Sequence, residues 1–587
     1  MQQVVRIGGA GGFWGDSTAG AEQILRSADV DYLVFDYLAE LTMSILAKAR
    51  QRHPDLGYAT DFVADVMAPL LPEIKARKIR ILTNAGGMNP RGCAAALRKA
   101  AAAQGLSLRI AVVEGDDLLP HEASLRAQGV TEMFTGADLP PKLTSMNAYL
   151  GAFPIAAALA QGADVVITGR CVDSALALGA LIHEFGWSAQ DYDRLAAGSV
   201  VGHILECGTQ TTGGLYTDWT EVPGRHDIGY PIAECSPDGS FILTKPRDTG
   251  GLVTPTVVTE QLLYEIGDPG NYLLPDVTCD FRGITIEAAG ENRVRISGAR
   301  GAAPTRSYKV SAVYEDGYRS GTTLTLVGRD AAAKAAHVAD AIIARTREMF
   351  RRRNLGDYEE ICIEPLGTEQ AFYGAHARGS ATREVVLRIA VRHAQAEALD
   401  LFGREIAPFG TAGTPGTTGF SGRPKPGKVF RLFSFLVPKD QLDVTVELEG
   451  TSTAIPALLP PPGEPDLPPV PATAPASLPS GTRRAPLSAI AVARSGDKGD
   501  LANIAVIARS PELYGCLLRE VTPERVAEQL SHLVKGKVER FEVPGVHAVN
   551  LLLHEALGGG GSASLRNDPL GKAFAQILLD MEITIPA

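Results

Sequence analysis

The run His203-Ile204-Leu205-Glu206-Cys207-Gly208-Thr209-Gln210-Thr211-Thr212-Gly213-Gly214 is the richest in reactive side chains. Residues three and four apart share one face of a helix, so a helical run brings His203, Glu206 and Cys207 together. That trio offers a general base, a carboxylate and a thiol. The polar loop after it, through Gln210, Gly213 and Gly214, suits an oxyanion. A divalent cation on His203 and Glu206 is a second use of the same residues. Plain packing of a His/Cys pair is a third.

Four other segments place polar residues after short apolar runs. Thr168–Ser174 delivers Arg170, Cys171 and Asp173 just ahead of a helical pattern. A guanidinium fork suits a carboxylate or phosphate, and Asp173 suits a base. An acidic residue near a helix start beside a structural cysteine is the plainer reading. Asn84 and Asn89 flank Gly86-Gly87. Asn89-Pro90 makes a helix cap and first turn, whereas Asn84 has no such local explanation. Glu114-Gly115-Asp116-Asp117 offers carboxylates to a metal or to acid–base chemistry, or forms an exposed turn. Gly8–Ser17, with Asp16, loosely meets a dinucleotide-loop spacing, with Asp36 as the acidic residue about 20 positions on. Glycines for a sharp strand-to-helix turn are the alternative.

The elements that must carry these residues alternate. Val4–Gly9, Tyr32–Asp36, Ile79–Asn84, Leu108–Glu114 and Val165–Gly169 read as strands, each closed by Gly, Asn, Asp or Glu. Ala39–Gln51, Pro90–Gln104 and Asn147–Gln161 read as helices between them. This order predicts an α/β fold, a large domain with a mostly parallel sheet. In such sheets ligands bind beyond the strand carboxyl ends, so one cleft is expected to gather Asp16, Asn84, Glu114, Arg170, Asp173, His203, Glu206 and Cys207. From about 224 to 326 the texture turns β-rich, with Thr254–Thr259 among the expected strands, and predicts a separate lobe. Ala331–Arg352 reads as a helix, and Glu384–His393 and Lys428–Pro438 as strands.

Ten prolines fall in Pro456–Pro479, which rules out a helix or central strand there. The expected division is therefore 1–455 as the main domain, 456–484 as linker and 485–587 as a small α+β domain of ferredoxin-like type. That unit holds Arg494-Ser495-Gly496-Asp497-Lys498 at a strand end, and Gly558–Gly561 ahead of Arg566. Glycine-rich loops beside Arg494, Lys498 and Arg566 suit an anion such as a phosphate. They equally suit charged packing of this unit on the main domain.

The formal charge is −11 over 587 residues, and the densest basic cluster, Arg351–Arg353, closes a helical pattern. No nucleic-acid partner is expected. The start shows no basic and apolar leader pattern, and no apolar run reaches membrane-spanning length. Seven scattered cysteines without a C-x-x-C pair suit reduced thiols, so a cytoplasmic location is expected.

Taken together, Gly8–Ser17, Asn84–Asn89, Gly169–Asp173, His203–Gly214, Arg494–Asp500 and Gly558–Asp568 resemble the acyclic terpene utilisation (AtuA) family over nearly the whole chain. The resemblance implies a large AtuA domain followed by a ferredoxin-like one. It also implies breakdown of acyclic terpenes through acyl-CoA intermediates, with coenzyme A arriving as part of the substrate. By their residue types and spacing, and not by the resemblance, His203, Glu206, Cys207 and Asp173 are the catalytic candidates. Asp16, Asn84, Asn89, Glu114, Arg170, Gln210, Gly213, Gly214, Arg494, Lys498 and Arg566 are the binding candidates. Three functions follow: a hydratase or lyase on a branched acyl-CoA or its acid, a non-catalytic partner of an acyl-CoA carboxylase or dehydrogenase, and a nucleotide-dependent enzyme. A divalent metal and a homo-oligomer are both compatible with each.

Overall fold

The computed structural model describes residues 4–460, 467, 481–561 and 563–586. Most of the proline-rich stretch assigned to the linker lies outside them. Strands β1 (Val5–Gly9), β2 (Tyr32–Phe35), β3 (Arg80–Thr83), β4 (Ile110–Glu114), β5 (Ser145–Ala148) and β6 (Val165–Thr168) open the chain. All of these except β5 form a parallel core in the order β1-β2-β3-β6-β4. Their side chains are buried on both faces, which is why the sequence shows continuous apolar runs there.

The sheet is mixed rather than mostly parallel. Beyond β1 it continues antiparallel through β7 (Ile232–Cys235), β8 (Phe241–Thr244), Arg293–Ser297 and Thr285–Gly290. Beyond β4 it continues antiparallel through Thr445–Leu448 and Thr451–Ala454. These strands return through short turns such as Ser236–Ser240, and tight turns can join only antiparallel neighbours. The expected β-rich lobe is thus shared out. Part of it finishes the large sheet, Tyr272–Leu273, Thr278–Asp280 and Arg300–Ala302 form a small sheet, and Ser307–Val327 enters another. Thr254–Thr259 is not a strand. It opens the helix Pro255–Leu262, with the Thr254 side chain accepting from Val257 N and Pro255 in the first turn. Cap chemistry outweighs the β-branched content there.

Ser307–Val327 pairs with Glu384–His393, Gly427–Pro438 and β5 in a second sheet. Helices Ala331–Arg353 and Ala396–Ile406 share a core with it. The C-terminal unit is a four-stranded antiparallel sheet, ordered Ala491–Lys498, Leu501–Ala508, Ala548–Leu553, Val538–Val543. Alternation along these strands divides their residues. Ala491, Ala493, Ile504, Val506, Val549 and Leu551 pack in the unit's own core, while Val492, Ala505, Ile507 and Ala548 join the main one. Among the described residues no helix is long and apolar enough to cross a membrane.

Candidate functional site at the domain junction

The parallel strands deliver their successors to one edge. β2 leads into Asp36, β3 into Asn84, and β6 into Arg170 and Asp173. Helix Tyr192–Leu205 ends beside the same edge, bringing His203 and Glu206. One carboxylate oxygen from each of Asp36, Asp173 and Glu206 lies within 4.8 Å of the others. Asp36 is held from behind, since Asn84 Nδ2 donates to its Oδ1 at 2.6 Å while the Asn84 carbonyl accepts from Tyr37 N. Arg170 is buried, donates to Asp173 at 2.7 Å and stacks on Tyr149.

His203 is 2% exposed, enclosed by the Tyr272 and Phe281 rings. Its Nε2 lies 3.0 Å from the Leu262 carbonyl and its Nδ1 lies 2.9 Å from Glu206 Oε1. A carbonyl only accepts, so Nε2 carries a proton. Glu206 stands in front of it with accessible surface remaining.

The opposite wall belongs to the C-terminal unit. Lys498, at the tip of the hairpin Ala491–Ala508, donates to the Glu265 carbonyl at 3.1 Å and sits over the Tyr272 ring. Lys572 reaches Glu265 and the Tyr264 hydroxyl. Glu265 and Tyr272 are half-buried, while Lys498 and Lys572 are exposed at the rim. Burial raises Asp36 well above the carboxylate range, and Asp173 adds to that rise while Arg170 opposes it. Burial also raises Glu206, opposed by His203. Burial works against the Lys498 ammonium, but Tyr272, Glu265, Glu206 and Asp173 more than offset it and hold the charge on. Three oxygens so arranged take either shared protons or a hard divalent cation.

The remaining candidates are placed as follows. Cys207 follows the helix end, and burial with Glu206 and Glu265 nearby pushes its thiol well up, away from thiolate. Asp16 accepts from Gly12 N, Ser17 N and the Tyr230 hydroxyl, and so fastens the first glycine loop. That loop is filled by protein. A Cβ on Gly12 would lie 2.8 Å from the Cys207 carbonyl carbon and 3.0 Å from the Glu206 backbone oxygen. Asn89 caps helix Pro90–Ala103 and donates to Pro54 and Leu56. Glu114 pairs with Arg91 instead of joining the cleft. Its neighbour Asp116 turns inward, accepts from Arg170 N and Asn147, and is pushed by burial to about 7.

In the Gly208–Gly214 turn, Gln210 N–H goes to Cys207 and Gly214 N–H to Thr209, so these donors close the turn itself. Gly213 ends it at φ +108. Arg494 is an interdomain rivet, bonded to Gln210, Gln261 and the Gly214 carbonyl and facing Glu260 at 3.5 Å. Arg566 bonds the Ala556 and Leu533 carbonyls within its own unit. Sequence spacing did not single out Glu265, Tyr272 or Lys572 for the site, nor place Asp36 beside Asp173. They come from separate elements, and only the strand-end rule bears on Asp36.

Compared with curated proteins and with solved structures, the chain matches none. The family model described as acyclic terpene utilisation family protein AtuA matches residues 5–448, and that of the AtuA ferredoxin-like domain matches residues 485–584. The parallel-strand edge and the C-terminal wall of the cleft thus fall within these two matches, and the chain belongs to the AtuA family.

Proposed function

We propose that the chain is a catabolic enzyme acting on a branched or terpenoid acyl-CoA, or the corresponding acid, by hydration, dehydration or carbon–carbon lysis. The observation that carries this reading is the meeting of Asp36, Asp173 and Glu206 opposite Lys498 at the domain junction. The family's name supports the terpenoid substrate class.

All three reactions develop negative charge on a carbonyl oxygen while protons move at nearby atoms. A permanently charged Lys498 suits that oxygen, and carboxyl groups raised toward neutrality suit proton exchange. In the hydration direction Glu206 takes a proton from water and the water oxygen bonds to C-3. The C2–C3 double-bond pair passes toward the carbonyl oxygen facing Lys498. A protonated neighbour, Asp36, then returns a proton to C-2. The base is Glu206 rather than His203, because both His203 ring nitrogens are engaged. His203 is a positioning residue that holds the Glu206 carboxyl. Shared protons are preferred to a metal because Arg170, His203 and Lys498 already bring positive charge or donors to these oxygens.

Mass spectrometry of the full chain incubated with branched acyl-CoA thioesters and the free acids tests this. Gain or loss of one water, or a split into two products, is expected. Unchanged thioester retained across the panel would make the chain a binding protein and overturn the proposal.

A further inference from the structure

The Gly558–Gly561 loop takes no part in the chemistry proposed above, yet its build points to a ligand. Gly558, Gly559 and Gly560 all have positive φ, at +66, +93 and +85. Such φ values are open to glycine and strained for other residues, so the loop brings bare backbone to the surface of the C-terminal unit. Asp500 accepts from Leu557 N at 3.1 Å and Gly559 N at 2.8 Å and so uses two of the loop's donors to pin it. Among the described residues the N–H groups of Gly558, Gly560 and Gly561 meet no acceptor, and Gly560 is buried. A buried backbone donor without a partner is uncommon in a native fold.

Two guanidinium groups converge on the same loop. A Cβ on Gly559 would lie 3.3 Å from Arg431 Nη1, and one on Gly558 would lie 3.6 Å from Arg566 Nε. Arg431 is anchored through its Nε by Asp316, and Arg566 through both terminal nitrogens by the Ala556 and Leu533 carbonyls. The nitrogen nearest the loop is in each case one with no partner among the described residues. The loop also lies against the tip that carries Lys498, since a Cβ on Gly560 would meet the Gly499 carbonyl at 2.8 Å. The loop and the cleft thus share the hairpin tip that carries Lys498 and Gly499.

We propose that Gly558–Gly561, Arg431 and Arg566 form a phosphate subsite that holds the nucleotide end of a coenzyme A thioester whose acyl end enters the cleft. This rests on the acyl-CoA reading above and selects the thioester over the free acid. Phosphate recognition by backbone N–H groups and guanidinium N–H groups is charge-assisted.

Calorimetry of the full chain with coenzyme A and with pantetheine, which lacks the phosphates, tests the subsite. Coenzyme A is expected to bind at least tenfold more tightly, with affinity falling as salt rises. Arg431→Gln is expected to remove most of that advantage. Equal binding of the two compounds by the unmodified chain, or coenzyme A binding unchanged in Arg431→Gln, overturns the subsite. Turnover of pantetheine and coenzyme A thioesters alike would also overturn it while leaving the proposed reaction standing. Phosphate-dependent binding without turnover of any thioester supports the subsite and removes the reaction instead.

Discussion

Glu206 and His203 share one proton along the Nδ1–Oε1 line, because the Nε2–H of His203 is committed to the Leu262 carbonyl. The pair therefore acts as one unit whose exposed end is the carboxyl. Glu206→Gln is expected to lower kcat by about a hundredfold to ten-thousandfold, the usual worth of a positioned acid/base group. His203→Gln is expected to lower kcat less and to shift the pH profile, since it alters only the partner of that carboxyl. Cys207→Ser is expected to keep activity within about threefold, because a thiol held this far from thiolate is a poor nucleophile. Kinetics of the three variants on the substrate found by mass spectrometry check this ordering. A Cys207→Ser loss as deep as that of Glu206→Gln would make the thiol a participant.

The elements position this unit through one close approach. Gly12, in the loop after β1, lies against the Glu206–Gly208 backbone with no room for a methyl group. Gly12→Ala is expected to displace that segment and lower kcat by about a hundredfold, as a misplacement near 1 Å does. Far-UV circular dichroism should stay unchanged. Full turnover in this variant would show that the loop does not set the site. The loop was legible in the sequence as a glycine-rich strand end, but its neighbour was not, since nothing local links residue 12 to residue 207. The parallel core was legible because strands buried on both faces are unbroken apolar runs closed by polar residues. The strand-end rule placed Asp173, and the helical spacing placed His203 and Glu206. The antiparallel flanks were hidden because pairing direction depends on connections, and helix Pro255–Leu262 because its Val and Thr content resembles a strand. Lys498 was legible as a candidate for binding an anion, but not as a neighbour of Glu206 and Asp173. Its role depends on how the C-terminal sheet docks through Asn503 and Asn550 onto Leu263, Ile266 and Gly267.

Over the whole molecule, burial raises Asp116 and Glu260 to about 7 and Asp276 to about 6. Their unfolded values lie near 4, so between those limits the folded chain binds more protons. The stability they contribute is fully present below about pH 4 and is lost as pH rises through 6 to 7, on the order of a few kcal/mol for each group. The melting temperature is therefore expected to fall between pH 5 and pH 8, and a rise over that interval would contradict the assignment. A second whole-chain test concerns the carboxylate trio. Treatment with a chelator is expected to leave turnover within about twofold, and loss restored by a divalent cation would reassign Asp36, Asp173 and Glu206 to metal binding. The most direct test of the central claim is hydrogen exchange at C-2 of the substrate thioester in heavy water, followed by mass spectrometry. The unmodified chain is predicted to place solvent deuterium at C-2, and Glu206→Gln and Lys498→Met to do so at least a hundredfold more slowly. Conversion without deuterium at C-2, or undiminished exchange in both variants, would contradict it.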